Sequence, residues 1–195
     1  MGKIFCVMGK SATGKDTIYK RILEESGLGL NRIIPYTTRP IREGEEEGRE
    51  YHFCTEEDVS RLEEEGRIVE LRSYNTIHGI WKYFTVNDGN ITLDTRNYLL
   101  IGTLEAYIQI RDYFGKEKVV PIYIEVEDGE RLARALKRER KPENQKYEEM
   151  CRRFLADSED FSEEKLKEAG IERRFQNEEL ESTICDVKEY IEGVM

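Results

Sequence analysis

The 195-residue chain has two histidines, four prolines and one tryptophan, and its four cysteines (Cys6, Cys54, Cys151 and Cys185) are scattered. So few histidines, none at metal spacing from a cysteine pair, argue against a zinc centre. Scattered thiols suit a reducing cytoplasm rather than a disulfide framework. No apolar run approaches the roughly 20 residues that span a bilayer, so no membrane association is expected. The opening MGKIFCVMGKS runs straight into a glycine-rich stretch and reads as a first strand, not a signal peptide. Positive charge is also short. The formal net charge of −10 disfavours a nucleic-acid partner, which would need a basic face, but leaves room for a small polyphosphate held by local cations.

What is present fits one domain with small inserted flaps: 38% hydrophobic residues for a core and 37% charged residues for the surface. Lys3 to Met8 reads as a buried strand, and Ile18, Ile22 and Leu23 recur at helical spacing until Gly27 and Gly29. A second strand is expected from Arg32 to Tyr36, a helix from Glu56 to Glu65, and a strand from Ile68 to Leu71. Residues 81–93 read as a hairpin turning at Asp88-Gly89. Tyr98–Ile101 then leads into a helix over about 103–114. Val119–Val126 is the last clear strand, followed by a charged helix over about 128–140 that Pro142 interrupts, with helical patterns again from Tyr147 and near the C-terminus. Strands alternating with helices predict an α/β fold with a mostly parallel sheet flanked by helices, carrying a partly β insertion. The expected division is a core of 1–32, 93–136 and 153–195, an insertion of 33–92 and a helical lid of 137–152.

Chemistry concentrates first in residues 9–17, GKSATGKDT. Gly9, Gly14 and Lys15 satisfy G-x-x-x-x-G-K between a predicted strand and a predicted helix, the context of a phosphate loop. Inward backbone N–H groups and the helix N-terminus favour an anion, and Lys15 adds a full charge. Gly9, Ser11, Thr13, Gly14, Lys15, Asp16 and Thr17 are therefore candidate ATP-binding residues. The position after the lysine ordinarily carries a Ser or Thr hydroxyl for Mg²⁺. Here it is Asp16, followed by Thr17. Asp16 either ligates the magnesium that accompanies ATP or repels the phosphates.

Residues 36–53, YTTRPIREGEEEGREYHF, carry a second and longer pattern. Two arginines three apart in a glycine-bounded turn form an anion grip. With Thr37, Thr38, Arg39, Arg42, Gly44, Glu45, Gly48, Tyr51 and Phe53 in register, the segment resembles the acceptor-binding motif of the guanylate kinase family. That resemblance extends more weakly along almost the whole chain. It implies a P-loop nucleoside monophosphate kinase fold. The implied reaction is transfer of the γ-phosphoryl group from ATP to GMP, with Mg²⁺. It implies acceptor-phosphate contacts at Arg39, Arg42 and Tyr51, and places Glu70 on the guanine edge, with His78 and Gly79 at a base-reading turn. It also implies an arginine flap, with Arg138 or Arg140 and Arg153 joining Lys15 and Arg39 around the transferred group. Asn177 would sit near the donor adenine.

Several positions depart from the family pattern. Pro35 stands where a serine is expected, Ile80 follows Gly79 where a hydroxyl residue is expected, and Gly102-Thr103 replaces carboxylates. A site without those polar groups loses discrimination for guanine. Two other readings therefore stay open: a kinase of the same build acting on another phosphorylated small molecule, and a non-catalytic interaction module.

Overall fold

The alternation of apolar side chains along the first strand shows how the core is divided. Strand β1 (Ile4–Met8) is wholly buried, with Ile4, Cys6 and Met8 in one apolar cluster and Phe5 and Val7 in another. A strand covered on both faces needs apolar residues at every position, which is why KIFCVM reads as a continuous run. The computed structural model describes every residue except 26, 77–78 and 142–144.

Five strands form the main sheet, in the order β2 (Asn31–Arg32), β7 (Tyr98–Ile101), β1, β8 (Val119–Glu125) and β9 (Arg174–Gln176), each paired parallel with its neighbour. Helix α1 (Lys15–Glu25) and helix α7 (Leu180–Val194) lie on one face. They contribute Ile18, Ile22, Val187 and Ile191 to the cluster around Phe5 and Val7. Helix α3 (Leu104–Phe114) and helix α6 (Glu163–Glu168) cover the other face through Leu104, Tyr107, Ile110 and Leu166. Because β1 is the central strand, the loop that follows it opens at the carboxyl edge of the sheet, the edge at which open α/β sheets bind ligands.

A second sheet has the order β4 (His52–Phe53), β3 (Tyr36–Thr37), β6 (Gly79–Val86) and β5 (Ile68–Thr76). Helix α2 (Glu56–Glu64) packs on it through Val59 and Leu62 against Phe84 and Val86. Thr55 and Asp58 close a reciprocal capping box at the helix start. Helix α4 (Asp128–Glu139) and helix α5 (Tyr147–Asp160) follow β8.

Three sequence expectations change. The segment from Arg32 to Tyr36 is not one strand: β2 joins the main sheet and β3 the second sheet, with Pro35 between them. The hairpin does not turn at Asp88-Gly89. Strand β6 instead pairs backwards with β5, from Thr76 opposite Gly79 to Ile68 opposite Val86. Asp88 accepts the Asn90 amide at 3.0 Å and ends β6, after which Leu93 enters the main core. Gly89 supplies the positive φ of a turn, but a turn residue does not say which partner the next segment meets. Finally, β8 is not the last strand. Three-residue β9 carries no strand signature in the sequence because Phe175 is its one apolar residue.

Candidate active site

The phosphate loop is pinned from several directions. A side chain at Gly9 would collide with the Ile124 carbonyl oxygen, so the loop can leave β1 this close to β8 only through glycine. Thr13 donates its hydroxyl to the Lys10 carbonyl at 2.9 Å, and Asn177 donates its side-chain amide to the Thr13 carbonyl at 2.7 Å. Asn177, expected near the adenine, is thus 4% exposed and braces the loop backbone. Helix α1 begins at Lys15, so the first N–H groups of the helix have no intrahelical carbonyl to bond and point out of its N-terminus. Lys15 stands 3.4 Å from Asp16, whose side chain is 82% exposed. Thr17 is exposed beside it, and Ser11 is partly buried.

Ala12 sits at φ 63°. A left-handed backbone carrying a Cβ costs about 1–2 kcal/mol, whereas glycine adopts it freely. Glycine also gives back about 0.4–1 kcal/mol through the greater freedom of the unfolded chain. Ala12→Gly is therefore expected to raise stability by roughly 0.5–1 kcal/mol, read as a higher urea midpoint at unchanged slope. A lower midpoint would sink this account. The loop pattern leaves position 12 free, so the sequence carried no signal for it.

Behind the loop lies a buried cation on α4. Arg131 is 1% exposed. Its guanidinium donates to Asp128 through Nε at 3.0 Å and Nη2 at 2.8 Å. Nη1 donates to the Ser11 carbonyl at 3.0 Å and to Asp157 Oδ2 at 3.3 Å. The same Asp157 oxygen accepts the Ser11 amide at 2.7 Å. The Phe154 ring centre lies 4.6 Å from the guanidinium carbon. One buried arginine thus ties α4 and α5 to the loop. Arg134, one turn on, donates to the Asn177 carbonyl at 3.1 Å.

In the second sheet, the paired threonines of the TTR motif fix the strand end. Thr37 donates to the Lys82 carbonyl and accepts the Arg39 amide, and Thr38 accepts the Lys82 amide. Arg39 is 4% exposed, forked onto Glu45 at 2.8 Å through both Nη atoms, with Tyr51 and Phe53 ring centres 5.1 and 5.5 Å from its guanidinium carbon. Arg42 is exposed, and its backbone amide donates to the same Glu45 at 2.8 Å. Glu45 therefore organises the turn carrying both arginines. The bond from Arg39 holds its carboxyl at about 2, well below the ordinary glutamate value of 4.5. A depressed folded value means the stabilisation is whole above pH 4.5 and fades as pH falls towards 2. Wild type should therefore exceed Glu45→Gln in stability at neutral pH, and the gap should close across that acid window. Parallel acid titrations of the two unfolding midpoints check it, and a gap that widens on acidification would refute it.

Glu70 is 2% exposed. The register slips between Ile68 and Glu70, a bulge that turns the strand locally. Thr85 donates to Glu70 Oε1 at 2.9 Å, and Arg72 donates to Oε2 at 2.9 Å and Oε1 at 3.3 Å. Gly79, at φ 105°, starts β6 and is exposed. His78 lies outside the described residues.

At the lid, Arg138 and Arg153 line one cavity of about 200 Å³ with Lys146, Glu139 and Glu149. Arg138 donates to Glu139 at 3.1 Å and Arg153 to Glu149 at 2.7 Å. Bonds from Arg152, then Arg153, hold the Glu149 carboxyl at about 2. Arg140 caps the end of α4, exposed and outside that lining.

A phosphate loop at the carboxyl edge of a central parallel strand, with an arginine-bearing second sheet inserted after it and arginine-rich helices beyond, is the build of a P-loop nucleoside monophosphate kinase. The comparisons agree and narrow it. The chain belongs to the guanylate kinase family, whose model, described as Guanylate kinase, matches residues 1–194. Guanylate kinase of Schizosaccharomyces pombe is 42% identical over 64 residues, 33% of this chain and 32% of that one. That of Neisseria meningitidis is 34% identical over 113 residues, 57% of this chain and 53% of that one. That of Malacoplasma penetrans is 28% identical over 138 residues, 70% of this chain and 68% of that one. The matched stretch thus spans about a third of the Schizosaccharomyces relative's length and about half of the Neisseria relative's. A crystal structure of guanylate kinase from Anaplasma phagocytophilum shares the fold, with a TM-score of 0.69 and 20% identity over 98% of this chain and 85% of that one.

Proposed function

We propose that the protein transfers the γ-phosphoryl group of ATP to a nucleoside monophosphate, with GMP as the acceptor its relatives' names suggest. The observation that carries this reading is the braced phosphate loop, with Lys15 at the start of α1 and a second arginine grip in the same chain. In the reaction, Lys15 and the α1 amides hold the β- and γ-phosphates. Arg39, Arg42 and Tyr51 hold the acceptor phosphate, and Arg138 and Arg153 close on the transferring group, whose charge spreads over its equatorial oxygens. The acceptor phosphate is already ionised, so no proton abstractor is needed. Closure of the 33–92 insertion and the 137–152 lid over the core would exclude water.

The donor set suits a divalent cation, and magnesium in particular. Asp16 and Thr17 offer hard oxygens beside the phosphate position, and Mg²⁺ asks for one or two carboxylates plus substrate phosphates. When bound, the ion neutralises charge on the triphosphate. Among the described residues no helix is long and apolar enough to cross a membrane, and all four cysteines are free thiols. A cytoplasmic setting belongs to the same proposal.

A coupled ADP-release assay with GMP, dGMP, AMP, CMP and UMP tests the reading. Release dependent on one of these acceptors supports it. Release no faster than with ATP alone, for all five, would overturn it in favour of the interaction module or of a kinase for another phosphorylated acceptor.

A further inference from the structure

The carboxylate that would read guanine is already occupied. Guanine presents two adjacent donors, N1–H and the 2-amino group, and a carboxylate reads them by accepting one on each oxygen. Arg72 makes that same two-donor fork on Glu70, through Nε to Oε2 and Nη2 to Oε1, and Thr85 adds a third donor to Oε1. Glu70 and Arg72 are two apart on β5, so the strand places them on one face. Side-chain exposure is 1% for Glu70 and 14% for Arg72. A charged, pre-organised fork held out of water binds the carboxylate edge more strongly than neutral base donors do.

The space tells the same story. The cavity bounded by Glu70, Arg72, Thr85, Pro35 and Gly102 measures about 20 Å³, room for about one water molecule. Pro35 brings no N–H and Gly102 no side chain. The Thr103 hydroxyl caps α3 by accepting the Ala106 amide.

We propose that Arg72 is a specificity-determining residue. By occupying the Glu70 edge it removes selection for the guanine base, so the acceptor is chosen by its phosphate, and a purine lacking the 2-amino group binds nearly as well as guanine. The proposal rests on the phosphotransferase reading only in taking this pocket as the acceptor's.

GMP and IMP differ by that amino group alone, so the ratio of their dissociation constants reads the contact directly. Titration calorimetry of the full chain with each nucleotide measures it without turnover. The wild-type ratio should stay below about 5, because the hydrogen bond to a charged group that would discriminate, worth about 10- to 150-fold, is not made. Arg72→Gln, which leaves a neutral donor on Glu70 but vacates the fork, should raise the ratio at least fivefold. Arg72→Lys, which offers a single point charge, should fall between and serves if the Gln variant does not fold. Glu70→Gln should leave the ratio near wild type. A wild-type ratio above about 5, a ratio that Arg72→Gln raises less than fivefold (or, where that variant does not fold, one that Arg72→Lys leaves at the wild-type value), or no binding of either nucleotide to wild type and variant overturns the proposal. A protein that binds GMP and IMP alike but releases no ADP overturns the kinase reading and leaves this one standing.

Discussion

Replacing Lys15 with alanine should lower kcat by about 10²- to 10³-fold, the loss seen when one positioned charge-stabilising group is removed from a transition state. The melting temperature should barely move. Magnitudes separate the two effects. In the free protein the Lys15 ammonium pairs with Asp16, 3.4 Å away and 82% exposed, and such a pair contributes at most about 1 kcal/mol. On the proposed reading its charge serves bound phosphates rather than the fold. Steady-state rates at saturating ATP and acceptor, beside a thermal melt of the same preparation, give both numbers. A variant that keeps more than a tenth of wild-type kcat would remove Lys15 from the reaction. A melt lowered by more than a few degrees would mean that the kinetic loss is partly a folding loss.

Asp16 bears on the same experiment. Its carboxylate is the lysine's neighbour in the free protein and the candidate metal ligand in the loaded one. Were Asp16 to hold magnesium beside the phosphates, its carboxylate would no longer be committed to Lys15, whose charge would then be available to the triphosphate. The odd residue after the lysine thus has a physical role available that the loop pattern by itself did not suggest.

Local chemistry was legible in the sequence and long-range pairing was not. The phosphate loop and the TTR turn were readable because glycines, a lysine and forked arginines act within a few residues of one another. Glu45 stood in the quoted motif, but its task of gripping Arg39 and the Arg42 amide together depends on a loop closure that spacing does not specify. Strand β6 was found as a strand and assigned the wrong partner, because Asp88-Gly89 is a turn signal whichever way the chain continues. The Glu70–Arg72 fork depends on a bulge that sets which face both residues occupy, and nothing in GRIVELR announces a bulge. Arg131 lies in the charged stretch that the sequence marks as a helix over about 128–140, and nothing local sets it apart from its neighbours. Its burial follows from Asp157, 26 residues further along, and from the loop that both residues hold.

That buried arginine carries the largest expected effect on stability. Arg131→Met keeps most of the side chain's length and apolar stem but removes its charge. Asp157 then keeps the Ser11 amide at 2.7 Å and loses its cation, while Asp128 keeps Lys10 at 3.3 Å and loses two stronger bonds. Removing one partner from a buried ion pair costs about 3–5 kcal/mol; here the cost falls on Asp157, whose side chain is 16% exposed, more than on Asp128, which is 50% exposed and regains water. For a domain of this size about 2–4 °C of melting temperature accompanies each kcal/mol, so a fall of about 6–20 °C is expected. Against a total stability of about 5–15 kcal/mol, the variant should still be folded at room temperature, and its ATP affinity can then be measured. The Ser11 carbonyl loses its donor from Arg131, and the loop is released from α4, so the dissociation constant for ATP should rise at least tenfold. Arg131→Lys separates charge from geometry. A single ammonium cannot fork onto Asp128 and also reach Ser11 and Asp157, so most of the affinity loss should persist while part of the melting temperature returns. A methionine variant that melts within 2 °C of wild type would show that the two aspartates find water or other cations when Arg131 is gone. Arg131 would then be a bystander to the phosphate loop rather than its brace.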